Sequence, residues 1–449
     1  MTRARATFLL TACAFLAGCP AERDKFAADD PHIYDLADLS VETLRARQYG
    51  SKIKVEHEVP NRSSPSYMTS YDSDGLRVYA RVDLPATAAP KEGYPVVIFV
   101  HGWVGTNDAP GLDFYYDGSS NYGQIIDAYV AAGFAVLVPG WRGHGTIDGV
   151  AADGIEFMRA WDNGSYVSPV FYAIDVLNLL DSVASFKHAK LDLHNINMYG
   201  HSQGGDVALM ALAIAGEGSK VSNNFNAASI WSGNIPTRFV QLSTFWPMQT
   251  SPQAFMSGDG SWNGTAIGAD GSINPHFVFG YPADWIGSID TDDWTWQNDT
   301  WSNATVAEAL VVKLDQMYAA VNEYVIDYPA AHYEIVIFDG TKTIVAHEAW
   351  VIEGLSQIGA FDQEQYLSET LALHHSDRDF YSLPDWNADL CRRANGAGGL
   401  CFDFTYPGNT HSLRLSEHEW FSPSGSQLGF EQALRRDIAL FGGADPREH

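Results

Sequence analysis

Gly200-His201-Ser202-Gln203-Gly204 sets a serine between two glycines. A serine hydroxyl is a poor nucleophile at neutral pH. It needs a base within hydrogen-bond reach and a carboxylate to orient that base. The five-residue run can serve such chemistry if it forms a sharp turn from strand to helix. The turn lifts the serine oxygen above a sheet and over the free N–H groups of a helix N-terminus, which can stabilise an oxyanion. Strand-like Ile196-Asn197-Met198-Tyr199 precedes it, and helix-like Asp206 to Leu212 follows. With 40 glycines among 449 residues the pattern alone is weak, so its partners decide.

Those partners are expected later in the chain, in the order serine, acid, histidine, at the ends of later strands. Asp379 and Asp377 lie beyond a strand that ends near His374. His411 lies beyond the next strand. Asp379 is the preferred acid and Asp377 its rival. His411, in a loop at a strand end, is the preferred base over His418, which sits in a polar, helix-like stretch. The two oxyanion donors are expected to be the backbone N–H groups of Gln203, directly after the nucleophile, and Trp103, in the turn after the strand Pro95 to Val100. Arg142 and His144 precede the nucleophile and read as braces of their own loop. His374, His375 and Asp377 could suggest a metal, but no second histidine cluster has ligand spacing. No metal and no cofactor are expected.

The elements that must hold these residues alternate. Asp74-Gly75 marks a hairpin turn, and the residues after it alternate apolar and polar. Pro95 to Val100 and Phe134 to Val138 have the composition of fully buried strands. A helix is predicted around Gln124 to Ala132. Another starts at Ser168-Pro169, with Val170, Ile174, Leu177 and Val183 on one face. The elbow strand and its helix follow, then a strand at Ala227 to Trp231. After a break come a strand at Thr370 to His374, a helix around Leu383 to Asn395, a strand at Cys401 to Tyr406 and a helix over roughly Gln427 to Phe441. This rhythm predicts an α/β fold with a mostly parallel central sheet flanked by helices. The break, at about 236–345, holds Trp246, Trp262, Trp285, Trp294, Trp296 and Trp301. It is too long for a simple loop and reads as an insertion, or cap, over the C-terminal edge of the sheet. Its tryptophans either line a substrate cleft or form its own core.

The chain carries 55 acidic residues against 27 Lys and Arg, a formal net charge of −28. Phosphate would be repelled, so nucleic acid is excluded as a partner. Arg3 and Arg5 precede a short apolar stretch, Ala6 to Ala17, too short to span a bilayer. Leu16-Ala17-Gly18-Cys19 is similar to a bacterial lipobox, which implies lipidation of Cys19 and a membrane contact through that anchor alone. A plain secretory signal cut near Gly18 is the other reading. The expected organisation is a lipoprotein-type signal at 1–19, a tether at 20–65 and one domain at 66–449. The expected location is the bacterial cell envelope. Cys13 leaves with the signal, so Cys391 and Cys401, ten residues apart, are expected to pair in an oxidising compartment.

The stretches from about 70 to 235 and 370 to 415 resemble the catalytic domain of the prolyl oligopeptidase family of α/β-hydrolases, the dipeptidyl- and acylaminoacyl-peptidase-like enzymes. The resemblance rests on Ser73-Asp74-Gly75-Leu76, Val100-His101-Gly102, Trp141-Arg142-Gly143-His144-Gly145, Gly200 to Gly205, His375 to Asp379 and Tyr406 to His411. It implies an α/β-hydrolase fold and a triad of Ser202, Asp379 and His411. The family's peptidases usually carry an N-terminal β-propeller, and about 70 residues cannot make one. The resemblance therefore implies a mechanism, acyl transfer through serine, more firmly than a substrate. A small ester and a short peptide both fit. A non-catalytic surface binding protein on the same scaffold is the competing class. Nothing in the sequence sets an oligomeric state.

Overall fold

The computed structural model describes residues 36–102, 113–114, 121–161, 168–234, 363–376, 382, 384–406, 413 and 428–449. Their centre is a nine-stranded sheet. Its strands are β1 (Lys54–Glu58), β2 (Ser66–Ser73), β3 (Leu76–Asp83), β4 (Tyr94–Val100), β5 (Ala135–Pro139), β6 (Leu191–His201), β7 (Ala227–Trp231), β8 (Thr370–Ser376) and β9 (Leu400–Tyr406). They lie in the order β1-β2-β3-β5-β4-β6-β7-β8-β9. The pairs from β1 to β5 are antiparallel, and those from β5 through β4 to β9 are parallel.

Composition explains this layout. Strands β4, β5 and β7 are apolar runs buried on both faces, as parallel strands covered by helices must be. Strands β2 and β3 form a hairpin closed by Asp74 and Gly75, whose φ angles of 57° and 84° fit the two-residue turn that matches strand twist. From β4 the chain steps to β5 on one side, then returns to β6 on the other. Ligands of open α/β sheets bind at such a reversal, outside the carboxyl ends of the strands. Here those ends are His101-Gly102 after β4 and Ser202 after β6.

Helices close both faces. One core lies between the sheet and α1 (Val41–Arg45), α3 (Ile155–Trp161), α4 (Ser168–Ser182), α5 (Gln203–Ala215) and α6 (Pro384–Gly396). The other lies under α2 (Asn121–Ala131) and α7 (Leu428–Phe441). Cys391 on α6 and Cys401 on β9 form a disulfide across a Cα separation of 5.2 Å.

Part of the stretch expected as a tether at 20–65 lies among the described residues. From Leu36 the chain packs on the domain: Leu39, Val41 and Leu44 are buried, and β1 adds an edge strand. Arg45 is buried too. Its guanidinium donates to the Ala213 carbonyl at 2.6 Å and stacks 3.8 Å over the Tyr366 ring. The stretch reads as polar because β1, Lys54-Val55-Glu56-His57-Glu58, is a mostly exposed edge whose single apolar residue, Val55, makes no alternating pattern. The expected signal with Cys19 and the insertion at 236–345 lie outside the described residues.

Candidate active site

Ser202 links β6 to α5 with φ 55° and ψ −131°. Backbone of that kind costs an L-residue about 1–3 kcal/mol and persists only where the surroundings enforce it. The surroundings here are close-packed backbone. A Cβ on Gly200 would come within 2.7 Å of the Gly204 carbonyl oxygen, and one on Gly204 would overlap the carbonyl oxygens of Val100 and His101. Hydrogen bonds pin the rest. The Ser202 N–H donates to the Trp231 carbonyl at 3.1 Å, and the Ser202 carbonyl accepts the Gly205 N–H at 2.8 Å.

Ser202 is the N-cap of α5 yet makes no side-chain capping bond. Most N-cap serines spend their oxygen on the helix. Gln203, the first helical residue, has no intrahelical acceptor for its N–H, so that amide stands beside Ser202 at the positive end of the helix. One turn on, burial pushes the Asp206 carboxyl well above the ordinary carboxylate range.

The turn after β4 faces the elbow. The Gly102 N–H donates to the Tyr122 hydroxyl at 2.9 Å, and His101 Nδ1 donates to the Gly102 carbonyl at 2.7 Å. Both polar groups of Gly102 are thus held. A Cβ there would meet Ser202 Cβ at 3.1 Å, so the turn packs directly against Ser202. Burial lowers the His101 pKa from 6.5 to about 4, and its neutral ring stacks on Trp141 with centroids 4.1 Å apart. Trp141 stacks in turn on Tyr172 at 4.6 Å.

Arg142 and His144 do brace their loop. The Arg142 side chain, fully buried, holds Asp175 at 2.6 Å and Asp74 at 3.0 Å, and the Arg142 N–H donates to Asp175 at 2.9 Å. His144 lies 3.2 Å from the Tyr172 hydroxyl, and burial pushes its pKa well down. His374 and His375 point to different partners. His374 meets Tyr406 at 2.8 Å, and His375 Nε2 meets Asp403 at 2.8 Å. Among the described residues no cluster of His, Cys, Asp and Glu could hold a metal ion, and no helix is long and apolar enough to cross a membrane.

The structure thus describes Ser202 and Gln203 of the expected site. Trp103, Asp377, Asp379, His411 and His418 lie outside the described residues, directly beyond or after the ends of β4, β8 and β9. Tyr122 belongs to the site and was not expected from sequence. It reaches the elbow from α2, with no motif to mark it.

A family model described as the alpha/beta hydrolase fold matches residues 95–265, which span β4 to β7. No curated protein matches the sequence. Similar solved structures include an acetyl xylan esterase from Paenibacillus sp. R4, 16% identical with a TM-score of 0.44, over 89% of this chain and 91% of that one. A dipeptidyl peptidase 4 from Porphyromonas gingivalis is 13% identical with a TM-score of 0.46, over 85% of this chain and 36% of that one. An acylaminoacyl peptidase from Pyrococcus horikoshii is 12% identical with a TM-score of 0.44, over 88% of this chain and 50% of that one. The strand order, the strand-to-helix elbow and the family match together show that this chain has the α/β-hydrolase fold.

Proposed function

We propose that the protein is a serine hydrolase of prolyl-oligopeptidase type, acting on an ester or amide at the cell envelope. The observation that carries this reading is the strained Ser202 backbone at the elbow, with an uncapping side chain and the first amide of α5 beside it. A turn this costly needs a purpose beyond chain reversal. Ser202 attacks the carbonyl, and His411 takes its proton and later gives it to the leaving group. Asp379, in preference to Asp377, orients His411. The N–H groups of Gln203 and Trp103 receive the oxyanion, and water then hydrolyses the acyl-enzyme. Cys19 anchors the mature chain through its acyl groups.

The test is Ser202→Ala. It is expected to lose fluorophosphonate labelling and all turnover on nitrophenyl ester and aminoacyl-anilide panels. Undiminished turnover in that variant sinks the reading, and a wild-type chain that neither labels nor turns over returns it to a surface binding protein. Turnover of anilides alone marks a peptidase. Mass spectrometry of the mature N-terminus tests the acyl groups on Cys19.

A further inference from the structure

Asp437, on α7, is fully buried against the sheet. Its carboxylate accepts from the Tyr129 hydroxyl at 2.7 Å, the Ser229 hydroxyl at 2.5 Å and Trp231 Nε1 at 2.8 Å. His374 Nε2 lies 3.1 Å from its other side, within ion-pair range though not aligned for a hydrogen bond. His374 Nδ1 reaches the Tyr406 hydroxyl at 2.8 Å, and that hydroxyl accepts from Arg436 at 2.9 Å. One carboxylate on the last helix therefore gathers side chains from α2, β7 and β8, and through His374 from β9.

Trp231 and Tyr406 are the last residues of β7 and β9, and His374 lies two before the end of β8. Trp231 pairs in register with His201 on one side and His374 on the other, and His374 pairs with Phe404. The Trp231 carbonyl takes the Ser202 N–H, and the Ser232 N–H donates to the His374 carbonyl at 2.7 Å. In sequence His374 stands five residues before Asp379, and Tyr406 five before His411. Stability alone does not call for this arrangement, because apolar side chains fill such a volume at least as well as a buried ion and its donors. What a carboxylate adds is direction, since each donor must approach along its own line.

We propose that Asp437 is a positioning residue for hydrolysis: through Trp231, and through His374 to Tyr406, it fixes the ends of β7, β8 and β9 relative to the Ser202 elbow. It rests on the serine-hydrolase reading, with the chain leaving β8 and β9 toward the acid and the base. Asp437→Asn keeps the shape but replaces one of the two acceptor oxygens with an amide donor and removes the charge.

The experiment compares wild type, Asp437→Asn and Tyr406→Phe on one nitrophenyl ester. It reads kcat per fluorophosphonate-titrated serine, KM and the melting curve. Asp437→Asn is expected to lose about a hundredfold in kcat per titrated site, the scale of a small misplacement. KM should stay within about twofold, and melting should remain cooperative. Tyr406→Phe, which leaves the Asp437 pocket whole, is expected to fall in the same direction and carries the test alone if the first variant does not fold. A purely structural role lowers the number of titratable sites and leaves kcat per site unchanged. That outcome, or wild-type kcat in a folded variant, overturns the proposal while an active wild type keeps the hydrolase reading. A wild type without labelling or turnover removes both.

Discussion

The Tyr122 hydroxyl lies 2.6 Å from Nδ1 of His201, the residue just before Ser202. The same oxygen accepts the Gly102 N–H, which leaves the phenolic proton for His201. One side chain thus ties the turn after β4 to the end of β6, just before Ser202. Tyr122→Phe removes both bonds. The expected result is a loss of about 1–2 kcal/mol in stability. With it goes a fall in kcat/KM of roughly tenfold, less than the hundredfold or more of losing an oxyanion donor outright. Urea unfolding and ester turnover measure the two. A folded variant with wild-type turnover shows that the turn is held without the hydroxyl.

Gly204→Ala tests the elbow as packing. The new methyl would overlap the carbonyl oxygens of Val100 and His101, which belong to the rigid sheet and cannot yield as a flexible side chain would. Overpacking of this kind costs about 3 kcal/mol. The expected outcome is a large drop in the urea midpoint, or loss of soluble protein. A variant as stable as wild type means that the elbow has room which the close approach of α5 to β4 denies.

The Cys391–Cys401 bridge closes a loop of ten residues between α6 and β9. Its entropic effect on the unfolded chain is about 2.5 kcal/mol. Replacing both cysteines by serine is expected to lower unfolding free energy by about that amount, and reductant should do the same to wild type and nothing to the variant. Equal midpoints with and without reductant in wild type contradict the bridge.

Glu369 starts the approach to β8. Burial raises its pKa from 4.5 to about 7, and its Oε2 has no hydrogen-bond partner. The folded state therefore holds this proton more tightly than the unfolded chain. The stability it brings is complete below pH 4.5 and is lost as pH rises through 7. His101 works the other way. Its pKa falls from 6.5 to about 4, so its contribution is present above pH 6.5 and is lost as pH drops through 4. Glu369→Gln should match wild type near pH 4.5 and exceed it by up to about 3 kcal/mol above about pH 8. Melting curves across that range check it. A difference that does not change with pH rules the titration out.

The elements beneath the site were legible because each carries its pattern locally. Pro95 to Val100 read as a buried strand from composition, and Asp74-Gly75 read as a hairpin from turn chemistry alone. Strand β1 was not legible, since an exposed edge of Lys, Glu and His lacks any such pattern. The side-chain partners at the site were illegible for a different reason. Tyr122 meets His201 across 79 positions, and Asp437 meets Trp231 across 206. No spacing rule reaches so far, because only the order of strands brings those residues together.

The glycines around Ser202 lead to a point about descent. Gly200 and Gly204 are required because backbone passes too close for a methyl group, whatever the serine oxygen does. A lineage that lost its activity would still be obliged to keep them, or lose the fold. Relatives that retain the glycines but carry another residue at the Ser202 position would mark chains released from catalysis and still bound by packing. In this fold the two glycines answer to packing, whatever residue stands between them.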